Sequence, residues 1–180
     1  MAALKRVLDD NMKFGKNWGE RSPMTLRNMG YRSQFVRDLN TCPMANAFLS
    51  RLCGVDLVPH TYETSWGHTN VGVVGDTRAV DVWHVDSVPF VLVVMMADMA
   101  GAMGGDLEVV KKASFEEAFQ RVRETDNRVP EGELLRVSYP GLGWGIFMQG
   151  SKFVHHVTPV FQAQNARVSF VNSYQSRDPL

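Results

Sequence analysis

From about residue 61 onward, apolar and polar residues alternate along short segments that are rich in β-branched side chains. Alternation with a period of two, interrupted by turn residues, is typical of strands with one buried face. The segments TNVGVV and RAVDVWHVD flank Gly75-Asp76-Thr77, which predicts a hairpin. The continuous apolar run VPFVLVVMM predicts a strand buried on both faces. Further strands are predicted at GDLEVV, LLRVSYP, WGIFMQG, KFVHHVTPVF and ARVSFVNSYQ.

Two parts of the chain have helical patterns instead. Residues 1–60 mix apolar and charged positions, as in LKRVLDDNMKF and PMTLRNMGYRSQFVRDL, and predict helices and loops. The segment ANAFLSRLCG ends at Gly54, a residue type that commonly follows a helix. Ser114, with Glu117 three residues later, has the sequence of a capping box and predicts a short amphipathic helix at about 114–125.

Many short strands without alternating helices are typical of a sandwich or barrel of the jelly-roll type. We therefore predict a mainly β protein with N-terminal helices, built as a double-stranded β-helix (jelly roll). The 180 residues are enough to bury a core within one domain, 1–180. In this domain a helical N-terminal layer, 1–60, braces a jelly-roll core, 61–180, with the helical insertion at about 114–125.

Composition narrows the classes of partner. The chain has 19 basic residues (Lys plus Arg) and 19 acidic residues (Asp plus Glu), so it has no net charge to attract nucleic acid or an anionic membrane. The apolar run between Asp86 and Asp98 is too short to span a bilayer, and the start MAALKRVLDD lacks the apolar core of a signal peptide. Cys42 and Cys53 fit neither a disulfide framework nor a zinc site. We expect a cytoplasmic protein that binds neither nucleic acid nor membrane; the sequence leaves its oligomeric state open.

Candidate metal ligands lie in the strand region. His84 and Asp86, one residue apart in WHVDS, share a face if this segment is a strand. A later histidine completes a set of two imidazoles and one carboxylate, which is the ligand set of non-haem Fe(II) oxygenases. His155 and His156 compete for that place, and alternation alone does not choose between them because one faces inward in either register.

The order of these residues resembles the Fe(II)/2-oxoglutarate-dependent dioxygenase superfamily, in its prolyl-hydroxylase-like branch. The matching elements, spread over roughly residues 66–176, are His84-Val85-Asp86 (H-x-D), Gly104-Gly105-Asp106-Leu107 (G-G-x-L), His155-His156-Val157-Thr158-Pro159-Val160 (H-x-V-x-P-V) and Arg167-Val168-Ser169 (R-x-S). The resemblance implies Fe(II) bound by His84, Asp86 and His155, with 2-oxoglutarate and O2 as co-substrates. It implies that Arg167 and Ser169 hold the distal carboxylate of 2-oxoglutarate. The intact Asp86 argues against halogenation, because halogenating members carry a small residue there.

Other polar residues are weaker candidates. If 66–74 is a strand, Trp66, His68 and Asn70 share a face, so that Asn70 is a candidate for hydrogen bonding to the co-substrate and Trp66 and His68 for substrate contact. Gln149 shortly precedes His155 and is a further candidate for substrate contact. Lys152 is an alternative to Arg167 as a carboxylate anchor. The arginines of the N-terminal segment are either substrate contacts or surface charge; they are Arg21, Arg27 and Arg32.

The resemblance implies an enzyme that converts 2-oxoglutarate and O2 to succinate and CO2 while oxidising a second substrate. The default reaction is hydroxylation, and the default substrate is a small molecule such as an amino acid or a natural-product intermediate. Three alternatives stay open: a hydroxylase of protein side chains, of the prolyl type; a cupin-like iron protein that does not use 2-oxoglutarate; and a jelly roll that only binds a ligand.

Overall fold

The computed structural model describes residues 1–17 and 19–178, so the last two positions of the predicted core lie outside the described residues. The helices are α1 (Ala2–Asn11), α2 (Met29–Arg32), α3 (Gln34–Asn40), α4 (Pro43–Cys53) and α5 (Phe115–Glu124). The strands are β1 (Thr25–Leu26), β2 (Leu57–Pro59), β3 (His68–Gly72), β4 (Asp81–His84), β5 (Phe90–Met95), β6 (Met103–Gly104), β7 (Leu107–Val110), β8 (Leu134–Val137), β9 (Gly145–Met148), β10 (His155–Val157), β11 (Val160–Gln162) and β12 (Arg167–Ser176).

The strands form two main antiparallel sheets. The six-stranded sheet has the order β1-β3-β12-β5-β9, with β2 also paired to β12. The four-stranded sheet has the order β4-β10-β7-β8, and β6 pairs with β11 in a small third sheet. Residues of both main sheets line one cavity, which therefore lies between them. This arrangement confirms the predicted jelly roll.

The N-terminal helices cover the outer face of the six-stranded sheet. Leu4 and Leu8 of α1 and Val36 of α3 belong to one apolar cluster with Phe170 of β12. Leu49 of α4 packs with residues of β2, β5 and β12 in a second cluster. The first sixty residues also supply β1 and β2 to the sheet.

Helix α5 forms as its sequence predicts. The Ser114 hydroxyl accepts a hydrogen bond from the Glu117 backbone N–H at 3.2 Å, which satisfies one of the donors at the helix start. Ala118 and Val122 on one side of the helix are buried in a cluster with Leu134 of β8. The helix thus covers the outer face of the four-stranded sheet.

The predicted hairpin around Gly75 is wrong. Strand β3 pairs with β1 and β12, whereas β4 pairs with β10 in the other sheet. The connecting loop crosses between the sheets and is fixed at both ends, because the Gly75 N–H donates to Val160 O at 2.8 Å and the Val80 N–H to Val157 O at 3.0 Å. A turn sequence between two alternating segments does not distinguish a hairpin from such a crossing.

Candidate active site

The cavity between the main sheets encloses an empty volume of about 790 Å³, including its open mouth. Strands β3, β5, β9 and β12 line one side, and β4, β7 and β10 line the other. Four alternate residues of β12 line it, namely Arg167, Ser169, Val171 and Ser173. The intervening Val168 and Phe170 pack on the opposite side of the strand, toward the helices.

His84, Asp86 and His155 converge on one side of this cavity. One ligand atom from each residue lies within 4.8 Å of the others, a spacing that fits a single metal ion. His84 Nε2 is 3.3 Å from Asp86 Oδ1, and His155 Nε2 is 3.9 Å from Asp86 Oδ2. The pairing of β4 with β10 sets this geometry, because His84 and His155 are directly opposite each other.

The backbone orients both imidazole rings. His84 Nδ1 lies 2.6 Å from Val82 O, and His155 Nδ1 lies 2.8 Å from Phe153 O. A carbonyl oxygen only accepts hydrogen bonds, so Nδ1 carries the proton in each ring and, in the neutral form, Nε2 presents a lone pair. Such outer hydrogen bonds fix the tautomer and the direction of metal-binding histidines.

Asp86 lies just beyond the end of β4 and is held by Gly150. The Asp86 backbone N–H donates to Gly150 O at 2.9 Å. A Cβ atom on Gly150 would be 2.7 Å from Asp86 Cγ and closer still to the Oδ2 atom. Only glycine at position 150 therefore leaves room for the carboxylate in its present place.

The charges of the three side chains are mutually dependent. Burial lowers the pKa of His84, but the hydrogen bond with Asp86 and the nearby Asp81 carboxylate outweigh it, and the pKa is raised overall. Burial raises the pKa of Asp86, but His84 and His155 outweigh it, and the pKa is lowered. The pKa of His155 is lowered by burial and by the proximity of His84. At neutral pH the site thus holds an ionised carboxylate and, at His155, a neutral imidazole.

His156 points to the other side of the sheet. Its ring stacks on Trp83, with centroids 3.8 Å apart, and its Nε2 lies 2.7 Å from Glu108 Oε2. Arg136 holds the same Glu108 carboxylate at 2.7 Å. The structure therefore places His155 with the other two candidate ligands and His156 in a separate hydrogen-bond network.

Asp81 is a buried cavity residue that sequence reasoning missed. Its Oδ2 is 3.7 Å from His84 Nε2, and its Oδ1 is 3.3 Å from Arg21 Nε. In a regular strand, residues 81 and 84 would face opposite sides. Here His155 pairs with His84 and Val157 pairs with Asp81, so β4 has one residue more than β10 over this stretch. Such a bulge reverses the alternation and brings both side chains into the cavity.

Arg167 is 1% exposed and lies on the six-stranded sheet beside the cavity. Its Nε donates to Gly105 O at 2.8 Å and its Nη1 to Ser169 Oγ at 3.0 Å. Its Nη2 is buried and makes no hydrogen bond of good geometry among the described residues. The Tyr139 side chain lies beside the guanidinium, with its ring 5.3 Å from the guanidinium carbon, and the interaction with the Tyr139 hydroxyl acts to raise the pKa of Arg167. Burial lowers the pKa of Arg167, but an arginine side chain remains charged in proteins. The buried guanidinium therefore has N–H groups on Nη2 that are available to a further acceptor.

The remaining predicted site residues divide into two groups. His68 and Asn70 line the cavity, where His68 Nε2 is 2.7 Å from Asn70 Oδ1, and the Asn70 amide nitrogen is 3.5 Å from Asp81 Oδ2. Trp66 does not share their face because β3 begins only at His68. Its ring packs in the outer apolar cluster, and its Nε1 donates to His60 O at 2.8 Å.

Two further candidates lie away from the cavity lining. Gln149 follows the end of β9, and only the preceding Met148 reaches the cavity. Lys152 is exposed and outside the lining, which leaves Arg167 as the buried cation on this side. Of the N-terminal arginines, Arg21 and Arg27 line the cavity, although Arg21 is also exposed to solvent. Arg32 is exposed and lies over the Phe14 ring at 3.9 Å, away from the cavity lining.

No protein-family model matches the sequence, and no curated protein matches it significantly. Solved structures do match. The epimerase SnoN, solved in complex with Fe3+, α-ketoglutarate and nogalamycin RO, has a TM-score of 0.60 at 18% identity over 97% of this chain and 72% of its own. AviO1 from Streptomyces viridochromogenes Tue57 has a TM-score of 0.63 at 16% identity over 99% of this chain and 85% of its own.

An oxidoreductase of the 2OG-Fe(II) oxygenase family from Burkholderia pseudomallei has a TM-score of 0.55 at 16% identity over 81% of this chain. This chain spans 56% of the length of that oxidoreductase.

None of the helices in the described part of the chain is long and apolar enough to cross a membrane. Placement in the prolyl-hydroxylase-like branch stays a prediction. The similarities show that this chain has the jelly-roll fold of the 2-oxoglutarate- and Fe(II)-dependent oxygenases, with the His84, Asp86 and His155 cluster inside it.

Proposed function

We propose that this protein is a non-haem Fe(II)/2-oxoglutarate-dependent oxygenase that oxidises a small molecule, with hydroxylation as the default reaction. The observation that carries the proposal is the combination of two groups in one cavity. A His–Asp–His cluster presents its ligand atoms to one point, and a buried arginine has an unused donor. The structural similarity to SnoN and to the Burkholderia oxidoreductase supports the same conclusion.

The donor set fits ferrous iron. Two imidazole nitrogens and one carboxylate oxygen are the ligand set of non-haem Fe(II) oxygenases, and they leave metal positions open for other ligands. His84, Asp86 and His155 would hold the ion, and the backbone bonds at both Nδ1 atoms would keep the ligand atoms directed at it.

Arg167 fits the far end of a dicarboxylate. A buried cation without a charged partner is costly, and a carboxylate supplies both the charge and an acceptor for Nη2. The Ser169 hydroxyl, 3.0 Å from Nη1, is placed to donate to the same carboxylate. Asn70, by contrast, has its bonds within the cluster of His68 and Asp81, so it is the weaker co-substrate contact.

When bound, iron and 2-oxoglutarate supply the oxidising power, as 2-oxoglutarate and O2 become succinate and CO2. The chain's own side chains bind and orient both groups. Apolar residues on the cavity walls keep water away from the reacting atoms, among them Val91, Val93 and Val171. A cavity of this size suits a small molecule rather than an extended polymer. The cytoplasmic location expected from the sequence remains a prediction.

Anaerobic titration tests the proposal directly. Adding Fe(II) and then 2-oxoglutarate should produce the weak visible charge-transfer band of the chelate, and admitting O2 should convert 2-oxoglutarate to succinate. Iron binding without any spectral response to 2-oxoglutarate would favour the cupin-like alternative. Succinate formation that is stimulated only by a peptide would favour the side-chain hydroxylase.

A further inference from the structure

Two consecutive glycines, Gly104 and Gly105, connect β6 to β7 close to Arg167. Both have a positive φ, +85° and +79°, in the left-handed region that residues with a side chain rarely adopt. The contacts proposed for the metal and for 2-oxoglutarate do not in themselves require a glycine at either position. The surroundings of the two glycines give a different reason for each.

Gly104 is held against the chain that leads into β11. A Cβ atom on Gly104 would overlap the carbonyl oxygen of Pro159, and the Gly105 N–H donates to the same oxygen at 3.0 Å. At the next residue, the Asp106 N–H donates to Thr158 Oγ1 at 3.0 Å. Three consecutive residues thus contact one neighbouring segment, and the turn cannot move away from Arg167 without breaking these contacts.

Gly105 contacts Arg167 directly. Its carbonyl oxygen accepts the hydrogen bond from Arg167 Nε at 2.8 Å. A Cβ atom on Gly105 would be 3.0 Å from Arg167 Cδ and 3.3 Å from Val160 Cγ2, both closer than ordinary van der Waals contact. Arg167 and Val160 are each 1% exposed, and a packed interior offers neither side chain room to move aside. The missing side chain of Gly105 therefore leaves space for the arginine at the point where the carbonyl binds it.

Gly105 and Ser169 together orient the guanidinium. Gly105 O engages Nε, and Ser169 Oγ lies 3.0 Å from Nη1. Two hydrogen bonds to different nitrogens fix the plane of the group, and Nη2 makes no hydrogen bond of good geometry among the described residues. Holding a flexible arginine side chain in one orientation before a ligand arrives lowers the entropic cost of binding that ligand.

We propose that Gly105 is a positioning residue for the co-substrate and acts through Arg167. Its carbonyl oxygen and its lack of a side chain hold the guanidinium so that Nη2 is free for the distal carboxylate of 2-oxoglutarate. The inference rests on the proposed oxygenase function for the identity of that carboxylate, while the contact between Gly105 and Arg167 does not depend on it.

Gly105→Ala tests the proposal against a matched control, Gly101→Ala. Gly101 also has a positive φ, +70°, but a Cβ atom there would meet nothing within 4 Å. Both variants place an alanine in a left-handed conformation, and only Gly105→Ala crowds Arg167. In anaerobic titrations of the Fe(II) protein, Gly105→Ala should weaken 2-oxoglutarate binding about tenfold, the loss expected for one hydrogen bond to a charged group. Gly101→Ala should bind 2-oxoglutarate like the wild type, and all three proteins should bind Fe(II) equally.

A double-mutant cycle shows whether Gly105 acts through the arginine. In the Arg167→Ala background the crowded Cδ atom and the Nε donor are both absent, so Gly105→Ala should cause no further loss of 2-oxoglutarate affinity. A second probe is 2-oxobutyrate, which is 2-oxoglutarate without the distal carboxylate. It should bind equally to the wild type and to Gly105→Ala, whereas a general structural defect would weaken the binding of both keto acids.

NMR of the arginine side chains tests the same contact without metal or co-substrate. The Arg167 Nε–H, which is buried and bonded to Gly105 O, should exchange slowly with solvent in the metal-free wild type. Arg167→Lys identifies its signal by removing it. The signal should be retained in Gly101→Ala and should exchange faster in Gly105→Ala. The wild-type measurement is decisive even if Gly105→Ala does not fold.

Four results would overturn the proposal. They are unchanged 2-oxoglutarate affinity in Gly105→Ala, equal losses in Gly105→Ala and Gly101→Ala, an undiminished further loss in the Arg167→Ala background, and rapid exchange of the Arg167 Nε–H in the wild type. Failure of the oxygenase function has a different signature. The wild type would then show no spectral response to 2-oxoglutarate, while the Arg167 Nε–H would remain protected and its protection would still depend on Gly105.

Discussion

Removal of the Arg167 side chain should separate co-substrate binding from metal binding. In Arg167→Ala the buried cation disappears, together with its bonds to Gly105 O and Ser169 Oγ. The metal cluster is on the opposite sheet and shares no hydrogen bond with Arg167 among the described residues. We therefore expect a loss of 2-oxoglutarate affinity with little change in Fe(II) affinity.

The size of the loss follows from the unused donor. A hydrogen bond between a charged pair contributes about 1.5–3 kcal/mol, and about 1.4 kcal/mol changes a dissociation constant tenfold. One such bond, from Nη2 to the distal carboxylate, thus predicts a loss of about 10- to 100-fold. Arg167→Lys should recover only part of the affinity, because an ammonium group cannot form two parallel bonds to a carboxylate.

Thermal unfolding with a redox-inert divalent metal measures this effect without turnover. At 2-oxoglutarate equal to about 100 times the wild-type dissociation constant, binding stabilises the wild type by about 2.7 kcal/mol. A 100-fold weaker variant would gain only about 0.4 kcal/mol under the same conditions. Arg78→Ala, at an exposed arginine that pairs with Asp76, is the control and should respond like the wild type. Equal stabilisation of Arg167→Ala and wild type would refute the assignment of this arginine.

Three further predictions concern the cavity. His155→Ala should abolish Fe(II) binding and 2-oxoglutarate turnover, whereas His156→Ala should retain both; the opposite outcome in an iron titration would exchange their roles. Gly150→Ala should weaken Fe(II) binding, because a methyl group at this position collides with the Asp86 carboxylate. Gly141→Ala is the control and should leave Fe(II) binding unchanged, since its Cβ would have its nearest neighbour 3.9 Å away. Equal Fe(II) affinities of the two variants would contradict the predicted clash. Burial lowers the pKa of His68 from 6.5 to about 3, so the unfolded chain takes up this proton first and stability falls as pH drops below about 6.5. In urea titrations without metal, the free energy of unfolding of the wild type should fall by up to about 2 kcal/mol more than that of His68→Gln between pH 7 and pH 5. Equal decreases in the two proteins would argue against a buried neutral imidazole.

Part of the cavity lining could be predicted from the sequence because a regular strand positions it. On β12 the alternation holds from Arg167 to Ser173, and Arg167, Ser169, Val171 and Ser173 all line the cavity. For His155 and His156, alternation showed only that they face opposite ways, and the resemblance selected His155. The structure gives the physical reason, since His156 is engaged by Glu108 and Trp83 outside the cavity.

What the sequence did not reveal depends on contacts between distant segments. The extra residue in β4 is defined only by its pairing with β10, so the cavity position of Asp81 could not be read from spacing. Arg21 and Arg27 lie at the cavity because β1 pairs with β3. Strand β1 has two residues and no sequence signal of its own. Trp66 was misplaced because the strand begins two residues later than its pattern suggested.

The bulge in β4 has a mechanical consequence. Val82 and Trp83 together oppose His156, and the backbone groups of Val82 bond elsewhere. Its N–H donates a hydrogen bond to Arg21 O in the N-terminal segment, and its C=O accepts a hydrogen bond from His84 Nδ1. A single residue therefore links the segment around Arg21 to the ring of the candidate metal ligand His84. The position of that segment against β4 and the direction of the imidazole therefore both depend on the backbone of Val82.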